Sequence, residues 1–136
     1  MAFQGNFTSN SFKEALFKGD VDFLVDTIKI ALYDNTATLN ASTTAYTTTG
    51  EVTASGYTAG GNVLVPTVLL NTNGTAYVDF ADTSWNATIT ARGALIYKNG
   101  GTAICVLDFG SDKTSTSVFS VVFPANSADS ALIRLN

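Results

Sequence analysis

Residues Ala87–Lys98 read ATITARGALIYK, Asn99–Gly101 read NGG, and Thr102–Phe109 read TAICVLDF. This run decides the fold. Its first segment places Ile89, Ala91, Leu95 and Tyr97 on one face and Thr88, Thr90, Arg92 and Ile96 on the other, the period of two that belongs to a strand. Asn-Gly-Gly between two such runs is a hairpin signal, because asparagine and glycine tolerate the left-handed backbone that tight turns need. The spacing therefore predicts a long antiparallel hairpin.

Working outward, the same period recurs. Thr27–Asp34 sets Ile28, Ile30 and Leu32 against Lys29, Ala31 and Tyr33, and Ala76–Phe80 sets Val78 and Phe80 against Tyr77 and Asp79. Val118–Phe123 alternates Phe119, Val121 and Phe123 with Ser120, after a turn at Gly110–Lys113, and Ala131–Leu135 reads as a closing strand. Asn62–Asn71 is mostly apolar, but Pro66 lacks the N–H of an inner strand and points to an edge, a bulge or a break. Seven or eight short strands with turn signals between them predict an all-β fold, an antiparallel β-sandwich of jelly-roll or immunoglobulin-like type.

One short helix precedes the strands. Ser11 and Glu14 have capping-box spacing, Gly19 stands where a helix-ending glycine belongs, and Phe12, Ala15 and Leu16 form the apolar stripe. Residues 1–26 thus read as an N-terminal arm with a helix, and 27–136 as the sandwich domain. The helix either plugs its own sandwich or docks on a neighbouring subunit. Asn35–Gly61 is long for a connection, yet Leu39, Tyr46, Val52 and Tyr57 recur through it. Spaced hydrophobes on a loop cover something, either a neighbouring copy or the loop's own sheet.

Composition narrows the chemistry. Of 136 residues, 46% are apolar and 13% charged, enough for a core but about half the usual ~25% charge. A net charge of −4 with scattered Lys and Arg argues against direct nucleic-acid binding, which needs clustered cations. There is no histidine, so the commonest general base and metal ligand are missing, and no cofactor or metal is expected. The lone Cys105 lies in an apolar run and reads as an inert buried thiol. The opening MAFQGNFTSN has no signal-peptide pattern, and no apolar run approaches the ~20 residues of a membrane helix. Synthesis in a cytoplasm, with no membrane partner, is the expectation.

Four blocks carry a resemblance: IALYDNTATLNASTTAYTTTGEV (Ile30–Val52), GYTAGG (Gly56–Gly61), DFADTSWNATITARGALIYK (Asp79–Lys98) and LDFGSDKTSTSVFSVVFP (Leu107–Pro124). In this order, with Trp85, ARGALIY and FGSDKT in sequence, they resemble a family of small structural proteins of tailed bacteriophages. The likeness runs from about Ile28 to the C-terminus. It implies a building part of a virion, and the missing histidine separately points away from an enzyme.

Other motifs weigh less. Asn-X-Ser/Thr sequons at Asn6, Asn40, Asn73 and Asn86 are expected by chance in so Thr-rich a chain. Asp20, Asp22 and Asp26 lack the glycine and closing glutamate of a calcium loop and read as solvated carboxylates. The glycines of GYTAGGN are turn residues, since no Lys-Ser/Thr follows them. Glu14 and Glu51 are the two glutamates, and nothing in the spacing sets a pair of acids across a sugar cleft. Trp85 is either a core aromatic or an interface anchor, and Arg92 either an intersubunit ion-pair partner or an exposed charge.

The functional expectation is a capsid cement or decoration protein on the virion surface. It would bind the major capsid protein and copies of itself, as a homo-oligomer and plausibly a trimer. Candidate interface residues are Phe3 and Phe7 of the arm with Leu39, Tyr46 and Tyr57 of the loop. A tail or neck component is the alternative, and a carbohydrate-binding module stacking sugars on Trp85, Tyr33, Tyr46, Tyr57, Tyr77 and Tyr97 is a third.

Overall fold

The computed structural model of the protein describes residues 3–69, 74–127 and 129–135. In chain order they form β1 (Phe7–Thr8), α1 (Asn10–Lys18), β2 (Ile28–Tyr33), β3 (Asn62–Val63), β4 (Pro66–Leu69), β5 (Ala76–Phe80), β6 (Thr83–Trp85), β7 (Thr90–Lys98), β8 (Ala103–Thr114), β9 (Phe119–Val121) and β10 (Ile133–Leu135). The main sheet has the order β1-β8-β7-β2-β3, and every pairing in it is antiparallel. Facing it are a three-stranded sheet, β10-β5-β4, and the pair β6-β9. The architecture is an all-β antiparallel sandwich with one short N-terminal helix.

The β7–β8 hairpin forms as its sequence requires. Gly101 N–H donates to Lys98 C=O at 2.9 Å, and Gly100 takes φ 75°. Its strands are less regular than their alternation. The register shifts between Ala91 and Gly93, where β7 advances from its Lys113 partner to Asp108. That bulge inverts the parity of the strand. Ile89 and Ala91 share the first core with Ala94 and Ile96, while Leu95 and Tyr97 lie in a second core. The single face expected for Ile89, Ala91, Leu95 and Tyr97 is therefore corrected. The expected turn at Gly110–Lys113 is instead the outer part of this bulge, and β8 continues through it to Thr114.

The main sheet is buried on both faces. Its inner face, with Ile28, Ile30, Leu32 and Ile104, meets Val78, Phe80, Trp85, Phe119 and Phe123 of the facing strands and their flanks. Its outer face carries Ala31, Tyr33, Leu95, Tyr97 and Val106, covered by Phe3, Ala37 and Leu39. Removing each large side chain from water contributes about 1.5–3 kcal/mol. Such burial on both sides explains why β2 and β7 show apolar residues at nearly every position rather than alternate ones.

The N-terminal segment is built into this body. β1 pairs with β8, Phe7 opposite Val106. The helix cap is Ser9 rather than the expected Ser11: its Oγ accepts from Phe12 N–H at 3.1 Å and donates to Ala103 C=O at 2.6 Å. Glu14 pairs with Lys18 one turn on instead of closing a capping box. Gly19 ends the helix in the left-handed conformation, φ 72°. Phe12 and Ala15 face the first core, so α1 plugs its own sandwich.

The apolar run from Asn62 changes sheets. Asn62–Val63 pairs with β2, then Pro66 opens β4 on the edge beside β5, so the break expected at Pro66 is a switch between layers. The end of the expected strand, at Leu70 and Asn71, and the sequon at Asn73 lie outside the described residues.

Candidate interaction surface

The five residues expected at an interface turn inward instead. Phe3, Leu39 and Tyr57 are buried, and Phe7 and Tyr46 are half-buried against the second core. The physical reason is the two-faced sheet. The outer side of β2 and β7 would expose Ala31, Tyr33, Leu95 and Tyr97, so the nearest apolar segments of the same chain cover it. The loop between β2 and β3 is a self-packed cover, which corrects a free contact role for the buried Phe3, Leu39 and Tyr57.

Glu51 locks that cover. Its carboxylate accepts from the Tyr46 hydroxyl at 2.5 Å, the Tyr57 hydroxyl at 2.8 Å and the Gly60 N–H at 2.7 Å. The Tyr57 oxygen accepts in turn from Leu32 N–H, and the Tyr97 hydroxyl donates to Gly60 C=O at 2.7 Å. Tyr46 stacks on Tyr97 with centroids 4.9 Å apart. Burial, with the negative charge of Glu51, pushes the Tyr97 phenol up to about 12 and holds Tyr33, Tyr46 and Tyr57 above the ordinary range as well. These tyrosines and Trp85 are committed to the interior, so the sugar-stacking platforms expected of Trp85, Tyr33, Tyr57 and Tyr97 are not exposed.

The charged residues are similarly engaged. Arg92 Nε meets Asp108 Oδ1 at 3.0 Å within the chain, which answers the question of an intersubunit partner. Burial would raise Asp108, but the Gly110 N–H and the Arg92 guanidinium outweigh it and hold the carboxyl below its usual range. Asp22 and Asp26 shape the turn after α1: Asp26 accepts from Asp22 N–H at 2.7 Å, which lowers its pKa, and meets Lys98 Nζ at 3.3 Å. Among the described residues no group of three carboxylate or thiol side chains could hold a metal ion. Burial pushes the Cys105 thiol up to about 12, far from a nucleophile's range. Asp79 is the exception, an almost fully buried carboxyl whose Oδ2 has no hydrogen-bond partner.

Some large apolar side chains remain outside. Phe17 is 96% exposed, and Leu24 and Val25 are each 78% exposed, all within nine residues of α1 and the turn after it. Beside them, a groove lined by Leu16, Phe23, Tyr77 and Leu135 opens between the helix and the edge strand β10. Val63, Val65, Val118 and Val122 are exposed around the β3 and β9 side. The sequence carries signals for both places. Phe17 falls off the Phe12–Ala15 stripe, and Val122 has the outward parity of Val121–Phe123.

Comparison of the chain with protein-family models, curated proteins and solved structures finds no match.

Proposed function

We propose that this chain is a structural protein of a tailed-bacteriophage particle, a cement protein that binds the major capsid protein and stabilises the shell. The observation that carries the reading is the pairing of a closed sandwich with large apolar side chains left in water at Phe17, Leu24 and Val25. A domain that buries aromatic and aliphatic residues on both sides of its sheet has no internal reason to leave a phenylalanine almost fully exposed. Such patches mark surfaces that another protein covers. The resemblance from Ile28 onward supplies the setting.

In this role the contact surface is α1 with its following turn, not the 35–61 loop with Phe3 and Phe7. Covering Phe17 alone would contribute about 1.5–3 kcal/mol, and a stable contact needs roughly 1,600 Å² in total. Repetition over a lattice then makes many modest contacts act together. Self-association into trimers belongs to the same proposal and would show as a threefold mass in sedimentation equilibrium.

Cryo-electron microscopy of purified virions tests the reading. Hundreds of copies on the icosahedral lattice, with α1 against the shell, are expected. A few copies at one vertex or along the tail would replace it with a neck or tail role.

A further inference from the structure

Among the described residues, β9 has a single strand partner, β6, so one of its edges is open. That edge borders a groove of about 450 Å³. One wall is Phe109, Lys113 and Thr114 of β8, and the other is the unbroken run 118–122. Side chains of a strand alternate between faces, so a groove lying on one face would touch every second residue. Here the inward Phe119 and Val121 and the outward Val118, Ser120 and Val122 all line it. The groove therefore follows the backbone of β9 along the edge that no strand pairs.

The edge keeps one of the usual protections and lacks two. Natural sheets blunt their edges with short strands, proline or charge. In this chain β1 and β3 are two residues long, β4 begins at Pro66, and β10 carries Arg134. β9 is short as well, at three residues, but has neither proline nor charge within 118–122, which presents two exposed valines and a serine. The single charge on the groove is Lys113.

We propose that β9 is a strand-acceptor site: an extended, carboxylate-bearing segment of a different polypeptide adds along its open edge, with the acid on Lys113. The lysine selects the acid. The chain's own edge strands β1, β3, β4, β6, β9 and β10 contain no Asp or Glu, so a second copy adding by one of them would leave Lys113 unmatched. Backbone hydrogen bonds would give affinity, and the Phe109–Phe119 floor, with rings 6.2 Å apart, would take every second side chain. Naming the added polypeptide as the shell subunit rests on the function proposed above; the acceptor edge does not.

The test uses the full chain with a blocked synthetic peptide, acetyl-Thr-Val-Asp-Val-Thr-Val-amide, at millimolar concentration. Amide exchange at 118–122 is expected to slow at least tenfold. The exposed substitution Val122→Lys should abolish the slowing, and Lys113→Glu should transfer it to the peptide with Lys in place of Asp. Unchanged exchange at 118–122, or equal slowing by a peptide N-methylated on its bonding edge, overturns the proposal. Shell binding separates the two readings. Shells bound at full occupancy by Val122→Lys would show that the edge is not the capsid contact while the function stands. Shells left unbound by a chain whose β9 the peptide still protects would remove the function and keep the edge.

Discussion

Gly93 shows how much one residue decides here. A Cβ at this position would lie 2.4 Å from the Phe3 ring and 2.4 Å from the Leu107 carbonyl oxygen. Phe3 can lie flat on the main sheet because this position has no side chain, and the adjacent bulge exists where the strand is thinnest. Gly93→Ala should lower stability by about 3 kcal/mol through overpacking, read as a fall in the urea midpoint without change in slope. Asp79 makes the opposite case. Burial raises its pKa above 3.8, against hydrogen bonds from the Phe80 and Leu132 amides that lower it, with Asp82 adding repulsion. The folded form thus holds a proton that the unfolded chain releases near pH 3.8. Its favourable contribution is full below that value and is lost as pH rises through the folded pKa. Asp79→Asn should raise the melting temperature at pH 7 and flatten the pH dependence of stability just above pH 4. Neither property was legible in sequence. Glycine in a strand signals only a close approach, and the outward parity of Asp79 gave no sign that its carboxyl would be buried.

Among the elements, β2, β5 and β10 were legible because each carries its pattern without interruption. The failures have physical causes. β1 is two residues long, too short for a period to show. The parity of β7 changed at a bulge whose extra residues lie in β8, where Gly110–Lys113 reads as a turn in sequence. Ser9 won the cap from Ser11 because its hydroxyl serves two partners, one in α1 and one in β8. Ser9→Ala should therefore cost about 2 kcal/mol, at the upper end for a lost cap, with amide exchange in the first turn of α1 rising most. The loop cover depends on Glu51 in the same way. Glu51→Gln weakens its charged hydrogen bonds to two phenols and should lower stability by about 2 kcal/mol. The raised phenols give a second readout. Folded tyrosines keep protons that the unfolded chain releases near pH 10, so stability should fall as pH climbs past 10. Absorbance at 295 nm from Tyr33, Tyr46, Tyr57 and Tyr97 should then rise together with unfolding, not before it.

For the whole molecule, the sandwich was legible and its surface was not. Spaced hydrophobes announce that something is covered, but only coordinates say whether the cover is self or partner, and here Leu39 and Tyr57 went inward while Phe17 stayed out. Phe17→Ser should leave the melting temperature within about a degree, as expected for an exposed site, and should reduce occupancy on shells at least tenfold. The doubly covered sheet also sets an order of events. β7 and β8 are joined by a four-residue connection, whereas β2 must find β7 across the whole span from Ile28 to Lys98. Closing that long loop costs entropy before any contact repays it. The hairpin is thus the natural nucleus, β2 joins later, and the 35–61 segment, which needs both strands beneath it, settles last. During synthesis the early half of the chain therefore waits, with its apolar strand unpaired, until the hairpin has emerged.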